Sequence, residues 1–211
     1  MEYLSDSFIC CCDSRKMIAE LPDGFVDMVV ADPPYSELGE DLESVLDEIC
    51  RVQRKINTYI FCGQKQLIFL LDYFVTKRGC DWTLLCWHKT NPADACVNKY
   101  LSDTDYILFV REKSVPLYGC YDSKFTYSYT MNNQAEKREF SHPTVKPVWL
   151  IKNFIFNSTK PEDIIFDPFI GVGTTAVAAE MLGRRYVGFE LKQKYCDTAF
   201  QRLRKDEESD C

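Results

Sequence analysis

Two stretches of the chain carry residue types from which chemistry can be built. The first is Asp32-Pro33-Pro34-Tyr35, which directly follows the apolar run Val26 to Ala31. Two prolines fix two φ angles and remove two N–H donors, so the loop is stiff and presents carbonyl oxygens at the end of a strand. An amino group on a heteroaromatic ring is a poor nucleophile, because its lone pair is delocalised into the ring. Accepting its protons on the Asp32 carboxylate and on a backbone carbonyl such as that of Pro33 would localise that pair, and Tyr35 can stack on the ring and fix its plane. Taken alone, the same four residues also suit an ordinary Pro-Pro turn with Asp32 as a local cap.

The second stretch is Asp167-Pro168-Phe169-Ile170-Gly171-Val172-Gly173-Thr174-Thr175, a strand that ends in a glycine turn and opens into a helix. Backbone without side chains can approach a ligand closely there, and a helix N-terminus offers unpaired N–H groups. Glu190 closes the next strand, 23 residues after Asp167. A carboxylate in that place can accept hydrogen bonds from both ribose hydroxyls, so the pairing points to a nucleoside-containing cofactor. Tight helix–strand packing is the other use of such a turn.

Both stretches need a framework to place them. Phe8 to Cys12 and Val26 to Ala31 are short apolar runs separated by a helical turn and the turn signal Pro22-Asp23-Gly24, which predicts two strands. Leu42, Val45, Leu46 and Ile49 fall at helical spacing and predict an amphipathic helix from Asp41 to about Lys55. Tyr59 to Cys62 reads as a strand, Gln64 to Lys77 as a helix, and Trp82 to Trp87 and Tyr106 to Val110 as two more strands. Pro147 opens an apolar helix to about Asn157. The strand Ile164 to Phe166, an Ala-rich helix from Thr174 closed by Gly183, the strand Tyr186 to Phe189 and a last helix from about Lys192 to Arg204 follow, with Lys205 to Cys211 as a solvated end. Seven strands alternating with helices imply one α/β domain built on a doubly wound, mostly parallel sheet whose ligands bind at the carboxyl ends of the strands.

From Glu112 to Phe140 no period is sustained, and this Tyr-, Ser-, Asn- and Lys-rich segment of 29 residues is expected to be an excursion over the surface. Between Arg111 and Lys160 eight basic residues face four acidic ones, a local charge of +4 in a chain of net charge −7. That basic stretch suits either a docking face for a phosphate backbone or a solvated mixed-charge surface. The chain of 211 residues, 46% hydrophobic and 27% charged, can bury one sizeable core. Its longest apolar stretch, Leu67 to Val75, is interrupted by Asp72 and falls short of the roughly 18 residues of a membrane span. The acidic start Met1-Glu2-Tyr3-Leu4-Ser5-Asp6 lacks the basic region of a secretory signal, so a cytoplasmic protein is expected. Eleven cysteines without a CxxC pair read as free thiols, and Cys10-Cys11-Cys12 on a strand point to alternate faces and cannot converge on one metal ion.

The motifs in this order resemble the S-adenosylmethionine-dependent DNA amino-methyltransferases. The Asp32-Pro33-Pro34-Tyr35 motif precedes Asp167-Pro168-Phe169-Ile170-Gly171-Val172-Gly173 with Thr174-Thr175, as in the circularly permuted β class. Cys12-Asp13-Ser14, Trp87-His88-Lys89-Thr90-Asn91-Pro92 and His142-Pro143-Thr144-Val145-Lys146-Pro147 match further segments, so the resemblance spans nearly the whole chain. It implies a Rossmann-like methyltransferase sheet, S-adenosyl-L-methionine as cofactor, no metal, and double-stranded DNA as partner. Position by position it implies that Phe169, Gly171 and Gly173 wrap the methionine part of the cofactor, within a site that includes Asp32, Asp167, Thr174 and Thr175. Glu190 would hold the ribose, Asp13 would reach the adenine amino group, and Thr144 and Lys146 would lie near the cofactor carboxylate. Asp32, Pro33, Pro34 and Tyr35 would form the target-base pocket, with the methyl group passing in line to the exocyclic nitrogen. His142 suits either a loop cap or a site role, and His88 reads as structural.

Asp at the first position of the DPPY motif favours adenine N6 in this family, with cytosine N4 more often behind Ser. Methylation of adenine in RNA and a catalytically silent cofactor- or DNA-binding subunit are the other readings. The family commonly carries a longer target-recognition region than residues 112–140, so selectivity is expected to be short or degenerate, or to depend on a homodimer or a partner subunit.

Overall fold

The structure, a computed structural model, describes residues 7–34, 40–89, 103–119, 126–129, 140 and 145–209. Among the described residues eight strands form one sheet in the order β1-β8-β7-β2-β3-β5-β4-β6. In chain order these are β1 (Phe8–Cys11), β2 (Met28–Ala31), β3 (Asn57–Cys62), β4 (Asp81–Lys89), β5 (Thr104–Arg111), β6 (Thr126–Tyr129), β7 (Ile164–Asp167) and β8 (Arg185–Glu190). The seven expected strands are all present. The eighth, β6, comes from the segment without sustained period and pairs parallel to β4 at the sheet edge, with Lys89 opposite Tyr129. A four-residue strand is too short to leave a period in such a polar background.

The pairings β1–β8, β8–β7, β7–β2 and β2–β3 are parallel, whereas β5 runs antiparallel to both β3 and β4. Seven strands therefore share one direction and only β5 is reversed. The central strands β2, β3 and β7 are buried along their whole length, which explains why they read as continuous apolar runs rather than alternating ones.

Alternation nevertheless sorts the side chains of these strands and of β5 into two layers. Val29, Ala31, Ile60, Leu108 and Phe166 meet Leu42, Leu46 and Ile49 of α2 (Glu40–Val52) and Leu70 of α3 (Gln64–Leu71). Met28, Val30, Tyr59, Phe61 and Ile165 meet Leu150, Phe154 and Ile155 of α4 (Val148–Ser158) and Ala178 of α5 (Thr174–Glu180). Tyr59 stacks between Phe109 and Phe154 at centroid distances of 4.2 and 4.5 Å. The last helix, α6 (Gln193–Ser209), packs Ala199 and Leu203 against Ile9 and Val177.

Three boundaries differ from expectation for identifiable reasons. The helix expected to reach Lys77 changes at Asp72–Thr76 into a wider π turn, in which the consecutive Tyr73 and Phe74 are both fully buried. The last helix continues through Ser209 rather than ending near Arg204, since Lys, Asp and Glu are good or tolerable helix residues once a helix is under way. Cys12 lies just outside β1, whose last residue is the exposed Cys11. The described cysteines are free thiols. No helix among the described residues is long and apolar enough to cross a membrane.

Candidate functional site

Parallel strands ending side by side bring their following residues together. At the carboxyl ends of β8 and β7 stand Glu190 and Asp167, just past β1 and β2 stand Asp13 and Asp32, and all four line one cleft of about 630 Å³. Each acid is held by a different donor. Asp13 caps the short helix α1 (Ser14–Met17), its Oδ1 accepting from the Arg15 N–H at 3.1 Å. Glu190 accepts from the Gly171 N–H on Oε2 at 3.1 Å and from the Lys192 N–H on Oε1 at 2.8 Å, which leaves lone pairs on both oxygens for the cleft.

Asp167 faces inward. Its Oδ1 accepts from the Phe169 N–H at 2.9 Å and its Oδ2 from the Thr175 hydroxyl at 2.5 Å. Burial pushes its carboxyl up to about 7; the nearby Asp32 and Glu190 push the same way, and the two hydrogen bonds oppose them. Asp167 and Thr175 thus shape the turn from beneath, while Phe169, Gly171 and Thr174 line the cleft beside them. Gly171 and Gly173 hold φ of 54° and 81°, a region closed to most side chains. A Cβ on Gly173 would also sit 2.8 Å from the Ala199 Cβ, so this glycine serves the packing of α6 as well as the turn. Arg202 ties the turn to α6 by donating to the Val172 carbonyl at 2.9 Å and to the Thr174 hydroxyl at 3.2 Å.

Asp32 is ion-paired. Lys146 Nζ stands 2.7 Å from Asp32 Oδ2 and 4.6 Å from the centroid of the Phe61 ring, with only a tenth of the lysine side chain exposed. A cation in so dry a place needs a carboxylate and an aromatic face, and it has both. The resemblance implied that Lys146 lies near the cofactor carboxylate; its ammonium is in the same cleft, on Asp32. Pro33 and Pro34 line the cleft too, and the Pro34 carbonyl accepts from Gln66 Nε2 at 3.0 Å. His88 is half-exposed with Nε2 3.6 Å from Asp103, at the end of β4. Tyr35, His142 and Thr144 lie outside the described residues, as do Thr90 to Pro92 and most of 112–140.

Three features were not read from the sequence. Gln66 sits three residues after Gly63, a spacing that signals a helix-capping glutamine but not its contact with the proline turn. Phe61 is one of six buried residues on β3, indistinguishable by type from the core. The Lys146–Asp32 pair joins residues 114 apart and has no local signature. Burial pushes the Cys12, Cys62 and Cys196 thiols up to about 12 and keeps those three neutral.

A sheet of this order, with a glycine turn after one strand and an acid closing the next, defines a Rossmann-like methyltransferase. The chain belongs to the DNA methylase family, whose model matches residues 26–201. It is 29% identical to the type II methyltransferase M2.DpnII of Streptococcus pneumoniae over 239 aligned positions, covering 93% of this chain and 89% of that one. Among solved structures it is similar to M1.HpyAVI in complex with S-adenosylmethionine, with a TM-score of 0.74, 26% identity and coverage of 92% and 98% of the two chains. A putative DNA modification methylase from Thermus thermophilus, also complexed with S-adenosyl-L-methionine, matches at a TM-score of 0.62 and 25% identity over 94% and 93%. The chain is thus an S-adenosylmethionine-dependent DNA methylase. The residues present suit that cofactor: Glu190 keeps acceptor capacity for hydroxyls, and the side-chain-free Gly171 borders a cleft of sufficient volume.

Two outcomes are expected. S-adenosylmethionine at 100 times its dissociation constant adds about 2.7 kcal/mol to the parent's stability. Glu190→Ala loses most of that gain at the same concentration, measured as the cofactor-induced rise in Tm; an equal rise in parent and variant would contradict the assignment. The second concerns Asp167, whose folded-state carboxyl holds its proton to about pH 7, whereas the unfolded chain releases it near the ordinary aspartate value of 3.8. Folding takes up a proton between those values, so this group's contribution to stability falls as pH rises from about 4 to about 7. Asp167→Asn, which cannot titrate, should gain stability relative to the parent across that window in denaturant titrations, and a difference that is constant with pH would refute the assignment.

Proposed function

We propose that this chain transfers a methyl group from S-adenosylmethionine to the exocyclic N6 of adenine in double-stranded DNA. The observation that carries the reading is that Asp32 and the Pro33-Pro34 turn open into the same cleft as Glu190 and the glycine turn. When bound, the cofactor supplies an electrophilic methyl group on a sulfonium. Asp32 accepts a hydrogen bond from one amino N–H of the target base and the Pro33 carbonyl one from the other, which localises the nitrogen lone pair. Attack on the methyl breaks the sulfonium S–C bond and releases the thioether, and the nitrogen then sheds one proton toward Asp32 or solvent. Lys146 holds the Asp32 carboxylate in place as an acceptor. A base inside a duplex cannot reach such a cleft, so the target has to be extruded, and Tyr35 is the residue assigned to stack on it. Asp rather than Ser at position 32 favours adenine over cytosine N4.

Residues 112–140 are proposed as the recognition excursion of this single methyltransferase domain, with a homodimer or a partner subunit as the source of further contacts. Its strand β6 runs along β4 toward His88 and Lys89, on the edge where the carboxyl ends of the strands lie. Such an enzyme would act in the cytoplasm, in a bacterial or phage-borne modification system.

Asp32→Ala should bind S-adenosylmethionine as the parent does and lose turnover, its cost appearing in kcat. Residual methylation on the order of a tenth of the parent rate would remove Asp32 from the central role, given the usual cost of removing a transition-state interaction. For the excursion, changing Lys124, Lys137 and Arg138 together to Glu should leave cofactor binding intact and weaken DNA binding. The salt dependence should become shallower by about 0.9 in slope for each phosphate that is no longer neutralised. Unchanged DNA affinity and slope would place the recognition surface elsewhere.

A further inference from the structure

Gln66 is a polar side chain with 1% exposure, in the first turn of α3. Its carboxamide bridges two backbone groups of different elements. Oε1 accepts from the Gly63 N–H at 3.2 Å, and Nε2 donates to the Pro34 carbonyl at 3.0 Å. The chemistry fixes which end is which, since a backbone N–H only donates and a carbonyl only accepts. The first bond closes the N-terminus of α3 as one arm of a capping box. The second reaches 32 residues back along the chain, to the turn that carries Asp32.

We propose that Gln66 is a positioning residue for the turn that accepts the target amino group, an inference that rests on reading Asp32-Pro33-Pro34 as that acceptor. Proline has no N–H, so the carbonyl is the only backbone group through which Pro34 can be held. Pinning it fixes the peptide plane that leads into Tyr35. It also occupies one lone pair of this carbonyl, which leaves the Asp32 carboxylate and the Pro33 carbonyl as the better acceptors for the target amino group. Helix α3 is rooted in the core through Leu70, so the turn is referenced to a rigid element rather than to another loop.

The two arms of Gln66 can be separated by substitution, with kcat, cofactor affinity and Tm measured at a pH well above the carboxylate range. Gln66→Glu keeps an acceptor for the Gly63 N–H, as capping boxes use Glu and Gln alike, but its ionised carboxylate has no proton for the Pro34 carbonyl. Gln66→Met removes both arms. Gln66→Glu is expected to keep the parent's affinity for S-adenosylmethionine at a lower Tm, because it buries a charge, while kcat falls on the order of tenfold or more, as misplacement of a reacting group does. Gln66→Met, which buries no charge, should lose kcat to a similar extent. A parental kcat in Gln66→Glu would overturn the proposal and reduce Gln66 to a helix cap. Should Gln66→Glu fail to fold, Gln66→Met decides: parental kcat refutes the proposal, and a loss of kcat with normal cofactor binding supports it. Asp32→Ala separates the two levels. Parental turnover in that variant defeats the acceptor reading itself, whereas its loss beside a parental Gln66→Glu defeats only the role of Gln66.

Discussion

Four carboxyl groups crowd the ends of four adjacent parallel strands, and the rest of the site depends on how that crowding is tolerated. Glu190 and Asp167 close β8 and β7, and Asp13 and Asp32 follow β1 and β2, four neighbours in the sheet. Partly buried negative charge is costly unless each group finds a donor or gives up its charge. All of these means are used: backbone N–H groups for Asp13 and Glu190, an ammonium for Asp32, and a raised proton affinity for the buried Asp167. The glycine turn is a consequence. Gly171, in a left-handed conformation, donates its N–H to the Glu190 carboxylate and borders the cleft without a side chain.

This arrangement sorts the ligands by charge. A row of acids at the strand ends favours a cofactor with a cationic sulfonium and repels phosphate, so a DNA backbone has to be held elsewhere on the protein. The chain's charge pattern matches that division, with the basic excess gathered between Arg111 and Lys160 in an otherwise acidic chain. Lys146 is the exception within the cleft. It lies in that basic stretch by sequence, yet its ammonium serves Asp32 and the face of Phe61.

The parts of the molecule that were legible in the sequence are those with local signatures. Apolar runs bounded by turn residues marked the strands, the spacing of Leu42, Val45, Leu46 and Ile49 marked α2, and the DPPY and glycine-turn motifs marked two edges of the cleft. What escaped was set by tertiary contact. The strand β6 exists because β4 offers an edge to it, and the π turn at Asp72–Thr76 accompanies the burial of two consecutive aromatic residues. The partner of Asp32 comes from the segment before α4 and that of Pro34 from α3, both far away along the chain. Asp167 shows the same limit in another form. The motif placed it at the site, but its inward orientation and its bond to Thr175 are matters of packing.

The most direct measurement is the identity of the modified base. DNA from cells expressing the chain, digested to nucleosides and resolved by mass spectrometry against an empty-vector control, should contain N6-methyladenine that the control lacks. N4-methylcytosine in its place, or DNA without any added methylated base from cells that hold folded, cofactor-binding protein, would contradict adenine methylation at the Asp32 turn.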